Sequence, residues 1–254
     1  LHAQHHDLIP GKPTDLDSIV PLHTSAFRWG DLISFPAEET QIAAEFRSSG
    51  TTVPGQQSRH LLHSLELYEA SVLAAFSSFF PELEKRDFQI ISLLPESKVW
   101  PNSSLVHMFD TLIRRYDEEH GVHACDHQGT PDVKAVKAAI KQARARCVPV
   151  LLLGAAFSHV MLLDDAIASE FCLPEESVVL ETGGTKGRTR SIDRDELMEL
   201  ISKGYQIPES RLLREYGMAE LGSQAFGWGH STTFEFPSWV HIDVCDPDTG
   251  MNVA

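Results

Sequence analysis

The sequence predicts an α/β fold, a largely parallel sheet flanked by helices. Three observations lead there. Helical and strand-like segments alternate over residues 60–204, apolar runs such as 148–153 are nearly continuous, and no internal repeat or low-complexity linker divides the region. A strand that is apolar on both faces must be covered on both, and helices returning between successive strands supply that cover. With 254 residues, 42% of them hydrophobic, the chain is long enough to bury a sizeable core.

Residues 1–45 read as an extended N-terminal arm, interrupted by Pro10, Pro13, Pro21 and Pro36. His2, His5 and His6 there fit a polar surface segment better than a metal site. Leu61, Leu62, Leu65, Tyr68, Val72 and Phe76 recur at helical spacing up to Pro81. The run 88–94, ended by Pro95, predicts a buried strand. A helix over 104–119 and an extended stretch over 121–127 follow. Residues 131–146 then read as a helix with Thr130 as its cap and Pro131 in its first turn. The clearest buried strand is 148–153. After it come a helix around 159–170, a strand at 177–180 and a helix over 194–203 ended by Gly204. Asp193 caps this last helix, with Glu196 at capping-box spacing. Residues 46–230 thus form one α/β body. The stretch 231–244 is β-rich, with Phe234, Phe236, Trp239, Val240 and Ile242, and the Asp-Pro-Asp-Thr-Gly of 246–250 is a turn signal. Residues 231–254 are accordingly read as the β-rich start of a C-terminal portion.

Charge excludes some functions. Lys and Arg number 21 against 36 Asp and Glu, a net −15, which disfavours a phosphate backbone or an anionic membrane as main partner. The uncharged stretch 147–163 is broken by Pro149, Gly154, Ser158 and His159 and falls short of the ~20 apolar residues a membrane span needs. The cysteines Cys125, Cys147, Cys172 and Cys245 form no CxxC pair, so a reducing cytoplasm is expected. No signal peptide opens the chain, and its first residue is Leu1, as in a piece of a longer protein. His123, Cys125 and His127 would share one face of an extended segment, near His120, but three side chains of one short strand seldom complete a zinc tetrahedron.

Three segments can carry chemistry. The first is Arg47-Ser48-Ser49-Gly50-Thr51-Thr52, followed by Ser58-Arg59-His60: small hydroxyl residues around glycine offer N–H and O–H donors to phosphate oxygens. Gly50 and Gly55 have Walker-loop spacing, but Gln56 and Gln57 stand where that loop needs Lys and Ser or Thr. The second, Glu181-Thr182-Gly183-Gly184-Thr185-Lys186-Gly187-Arg188, follows a strand, where open α/β sheets place their ligands. In the third, Glu215-Tyr216-Gly217-Met218-Ala219-Glu220 with Leu221-Gly222-Ser223-Gln224, a tyrosine can stack on a flat base and a carboxylate can hold Mg²⁺ beside phosphates.

In this order, with Ser103-Ser104-Leu105 and Leu151-Leu152-Leu153-Gly154 between them, the segments resemble the motifs of adenylate-forming enzymes. Within that superfamily they look most like acyl-protein synthetases of the LuxE type. The resemblance implies the N-terminal domain fold of such enzymes. It also implies ATP-dependent activation of a carboxylic acid, fatty or aryl, as an acyl adenylate, then transfer to a protein thiol. By the match Ser48, Ser49, Gly50, Thr51 and Thr52 would hold the phosphates, with Thr51 and Thr52 serving catalysis. Gly183 and Gly184 would lie along the adenine, Tyr216 would stack on it beside Gly217, Glu220 would bind Mg²⁺, and His107 would border the acyl site. Complexes with acyltransferase or reductase partners are also implied. Ala219 departs from the threonine usual before the magnesium-binding glutamate. The family's ribose-binding Asp, catalytic Lys and acyl-accepting Cys fall beyond the end of this chain, so the sequence reads as the nucleotide-binding portion of a synthetase. Two alternatives stay open: a ligase of the same superfamily that transfers to coenzyme A, and a module that binds nucleotide or acyl group without chemistry. Phe109, Phe157, Met161 and Phe226 would suit an acyl pocket.

Overall fold

The computed structural model describes residues 22–33, 41–48, 57–164, 171–184, 187–246, 249 and 253. Thus Ser49, Gly50, Thr51, Thr52 and the N-terminal histidines lie outside the described residues.

Among the described residues six strands form one sheet. In chain order they are β3 (Gln89–Ser92), β4 (Val122–His123), β5 (Val150–Ala155), β6 (Val178–Thr182), β7 (Leu212–Tyr216) and β8 (Ala225–Trp228), after a separate two-stranded ladder of β1 (Ala44–Arg47) and β2 (Arg59–Leu62). The spatial order is β4-β3-β5-β6-β7-β8, parallel except for β7 with β8. Both faces are covered, as the near-continuous apolar strands require. Ile90, Leu151, Leu153, Val178, Leu180 and Leu213 pack on one side with α1 (Glu66–Phe79) and α2 (Ser104–Tyr116). Ile91, Val150, Leu152, Val179 and Leu212 alternate to the other side, under α3 (Val133–Arg146), α4 (Ala156–Asp164) and α5 (Arg194–Tyr205). Each aliphatic side chain so withdrawn contributes ~1.5–3 kcal/mol.

The caps follow local chemistry. Ser103 accepts from the Val106 N–H at the start of α2, and Asp193 from the Glu196 N–H at the start of α5. The helix expected over 131–146 begins two residues later. Its cap is Asp132, which takes the Lys134 and Ala135 N–H groups, and not Thr130. Pro131 instead bridges Cys125, because Asp126 closes a turn by accepting from the Gln128 and Thr130 N–H groups. Three further expectations are corrected. Leu61 and Leu62 belong to β2, where His60 pairs with Phe46, and the helix starts only at Glu66. Gly204 does not end α5: it lies inside the helix against Leu163, and Gln206 at φ 55° makes the left-handed exit. The helix over 104–119 stops at Tyr116, where Asp117 leaves helical geometry.

Beyond Ser231 the chain crosses the β8 edge through a bridge between Phe226 and Glu235. The turn signal takes form where Asp246 accepts from the Thr249 N–H and Val253 donates to the Val244 carbonyl. Among the described residues no helix is long and apolar enough to cross a membrane.

Candidate functional site

The carboxyl ends of β3, β5, β6 and β7 open into one cleft of about 810 Å³, within the range of ligand sites. One side is built on the β1–β2 ladder. Ser48 donates its N–H to the Ser58 carbonyl (3.1 Å) and accepts the Ser58 N–H on Oγ (2.9 Å), joining the described chain on either side of residues 49–56. Glu45 takes Arg47 Nε and Arg59 Nε at 2.9 and 2.6 Å, and these two hydrogen bonds, Arg47 first, hold its carboxyl below the usual range. The His60 ring reaches across to the Ala219 carbonyl (2.9 Å), tying this side to the loop after β7.

The floor comes from strand ends and from α2. Gly183, at φ 73°, needs a residue without Cβ and turns the chain out of β6. A Cβ at Gly184 would meet nothing within 4 Å, so this backbone lies open to a ligand. Glu215 stands opposite Thr182 in the β6–β7 register and accepts its hydroxyl proton. Gly217 is tight for the opposite reason: a Cβ there would collide with the Glu215 carboxylate. Ser103, Ser104, Leu105 and Met108 bring the start of α2 to the same cleft, and the Tyr68 hydroxyl donates to the Ser104 carbonyl at 2.8 Å. Ala219, Glu220 and Gln224 complete that side.

Of the residues expected from sequence, Ser48, Gly183, Gly184, Gly217 and Glu220 line this cleft together. Tyr216 is one residue out of phase. Strand alternation turns it to the other face of β7, 45% exposed, with Phe234 and Phe236 at ring distances of 5.8 and 6.0 Å. His107 sits behind the cleft wall. Glu69 Oε1 is 2.9 Å from its Nε2, and Phe46 and Tyr68 pack on its ring. Phe157 lines the cleft, whereas Phe109 and Phe226 are core. His123 is held by the Leu94 carbonyl and by Asp110 (2.9 and 3.0 Å), and among the described residues no three His, Cys, Asp or Glu gather as a metal cluster.

Sequence reasoning missed several neighbours. Thr182, Glu215 and Arg188 lie inside the motif segments, but only strand register shows that the first two meet. Trp100 lies in the loop before α2 and carried no signal at all. On the opposite face of the sheet Glu181 stands in register with Arg214, near Arg194. Burial pushes the Glu181 carboxyl up to about 7 although Arg214 pulls it down, and Arg194 and Arg214 both donate to the Ser231 carbonyl.

Mg²⁺ commonly takes one or two carboxylates and completes its shell with water and substrate phosphates. Glu220, which lines the same cleft as Ser48, fits that demand.

The sequence matches no family profile and no curated protein. Among solved structures the chain is similar to ATP-bound MatB from Rhodopseudomonas palustris, with 15% identity over 87% of this chain and 39% of that one, at TM-score 0.52. It is similar, too, to an open conformation of 2-hydroxyisobutyryl-CoA ligase in complex with 2-HIB-AMP and CoA, with 13% identity over 87% of this chain and 46% of that one, at TM-score 0.52. The chain therefore spans less than half the length of either. Such likeness is one of backbone: the chain has the fold of the portion of these ligases that it covers, a mostly parallel sheet between two layers of helices.

Proposed function

We propose that this chain binds ATP and a carboxylic acid and joins them as an acyl adenylate, releasing pyrophosphate, as the nucleotide-binding portion of a ligase that passes the acyl group to a thiol. One observation carries the reading. Ser48, the Gly183-Gly184 turn and the segment from Gly217 to Glu220, far apart in sequence, border a single cleft at the carboxyl ends of the strands, where open α/β sheets bind ligands.

In this reading the loop that begins at Ser48, with Ser49, Gly50, Thr51 and Thr52, holds the phosphates. Gly183 and Gly184 run along the adenine, and Gly217 allows close approach. Glu220 carries Mg²⁺, and Tyr216, whose ring lies on the other face of β7 against Phe234 and Phe236, is left out of the adenine site. ATP supplies the leaving group that turns a poor electrophile into a good one. The protein supplies position and charge neutralisation. The apolar wall of Leu94, Val99, Leu105, Met108 and Phe157 receives the body of the acid, fatty or aryl. His107 acts at one remove, bracing Tyr68.

The motifs favour a protein thiol as acceptor, with acyltransferase or reductase partners, as in acyl-protein synthetases. The ligase solved with CoA supports coenzyme A equally. A reducing cytoplasm fits cysteines that form no CxxC pair. Acid-dependent exchange of pyrophosphate into ATP tests the adenylation step. Exchange with at least one acid is expected. Binding of Mg·ATP without exchange would favour a binding module, which Ala219 also permits, and absence of nucleotide binding would end the proposal.

A further inference from the structure

We propose that Arg188, held over Trp100 and Phe157 on one wall of the cleft, selects an acid that carries a second carboxylate. This rests on the acid-binding role proposed above and names its substrate class. Among the described residues four charged ones line the cleft: Arg47, Arg188, Glu215 and Glu220. Arg47 is paired with Glu45. Arg188 makes no ion pair with any described residue, and in a chain of net charge −15 an uncompensated cation at the ligand cleft calls for an anionic partner.

The guanidinium is also set in place. Its carbon lies 4.3 Å from the Phe157 ring centroid and 5.3 Å from that of Trp100. Nη2 donates to the Gln128 carbonyl, which leaves Nε and Nη1 to offer. The Trp100 indole N–H donates to the neighbouring His127 carbonyl at 3.0 Å. Both carbonyls belong to the turn that Asp126 closes, so one rigid turn braces the cation and one of its aromatic platforms from behind. Gly129 in that turn sits at φ 79°, and a Cβ there would come within 2.6 Å of the Trp100 ring. A planar fork of N–H donors matches a carboxylate, whereas an uncharged acyl tail gains nothing from it. Packing against aromatic faces leaves the in-plane N–H donors of the guanidinium for the ligand.

The test is equilibrium binding by calorimetry, with the full chain and its Arg188→Gln and Arg188→Lys variants. The probes are linear dicarboxylates from three to eight carbons, the monocarboxylates of equal length, and Mg·ATP. For the unaltered chain at least one dicarboxylate should bind about tenfold or more tighter than its monoacid, the size of a charge-assisted contact. Arg188→Gln should bring the two within about twofold and leave the ATP affinity unchanged, with Arg188→Lys in between. Equal affinities for the two acid series would overturn the proposal. So would an Arg188→Gln variant that loses ATP affinity but keeps its acid preference, which would give the guanidinium to phosphate. Binding is read without turnover, so a chain that prefers a diacid yet shows no pyrophosphate exchange would sink the adenylation reading and leave this one standing.

Discussion

At the scale of single residues, the loop after β7 concentrates the chemistry. Glu220 lines the cleft and is the carboxylate proposed to share Mg²⁺ with ATP phosphates. Its replacement by Gln keeps shape and removes charge, and one charge-assisted contact is worth about 1.5–3 kcal/mol. Glu220→Gln should therefore lower pyrophosphate exchange on the order of tenfold to a hundredfold, with partial recovery at raised Mg²⁺. Ala219 is 8% exposed, and its carbonyl is held by His60. A threonine there would add a hydroxyl to the cleft without disturbing that backbone contact. At about 0.5–1.5 kcal/mol for a neutral hydrogen bond, Ala219→Thr should raise exchange several-fold. An unchanged rate would mean that no phosphate oxygen comes within reach of this position.

At the scale of elements, α4 is pinned to the sheet by a buried histidine. The His159 Nε2–H donates to the Leu180 carbonyl, and Nδ1 accepts from the Tyr205 hydroxyl, both at 3.0 Å, linking α4 to β6 and α5. Gly154 leaves room for this ring: a Cβ there would lie 2.5 Å from Nε2. Burial pulls the imidazole down to about 4 against the opposing hydrogen bonds. An unfolded histidine takes up its proton near 6.5, so the folded state is favoured above that pH and loses this advantage as pH falls toward 4. Urea unfolding followed from pH 7 to pH 4 should show a stability loss on the order of 3 kcal/mol from this residue. A His159→Gln variant should give the flatter profile, and parallel profiles would contradict the assignment. The same elements show how far periodicity reaches. Residues 148–153 and 88–94 are legible as strands because burial on both faces leaves a nearly continuous apolar run, broken in the second only by the buried Gln89 and Ser92. Leu61 and Leu62 misled because two adjacent leucines fit a helix face as well as a strand, and only the ladder partners Glu45 and Ala44 decide. Strand β7 hides in the third motif because Arg214 and Glu215 interrupt its apolar pattern.

At the scale of the whole molecule, the sheet acts as a frame that brings four strand ends to one cleft. Loops carry the motifs, so a ligand touching several of them should stabilise all the strands they join. Mg·ATP at a hundred times its dissociation constant should add about 2.7 kcal/mol to unfolding free energy, read as a rise in melting temperature that EDTA diminishes. A nucleotide that leaves the melting temperature unchanged would mean that the cleft does not bind it in the folded state.

Composition, apolar patterning and the small-residue motifs are local properties, and from them the sequence alone determined the α/β class, the strands of the buried centre, and Ser48 and the glycines Gly183, Gly184 and Gly217 as residues that line the cleft. Register and face are not local. The meeting of Thr182 with Glu215, the turning of Tyr216 away from the cleft, the seat of His107 behind its wall, and the bracing of Trp100 and Arg188 by one turn arise from chain segments separated by tens of residues. Only the tertiary structure decided them, because a strand advanced by one residue presents its opposite set of side chains, and nothing within the strand itself records which neighbour it will face.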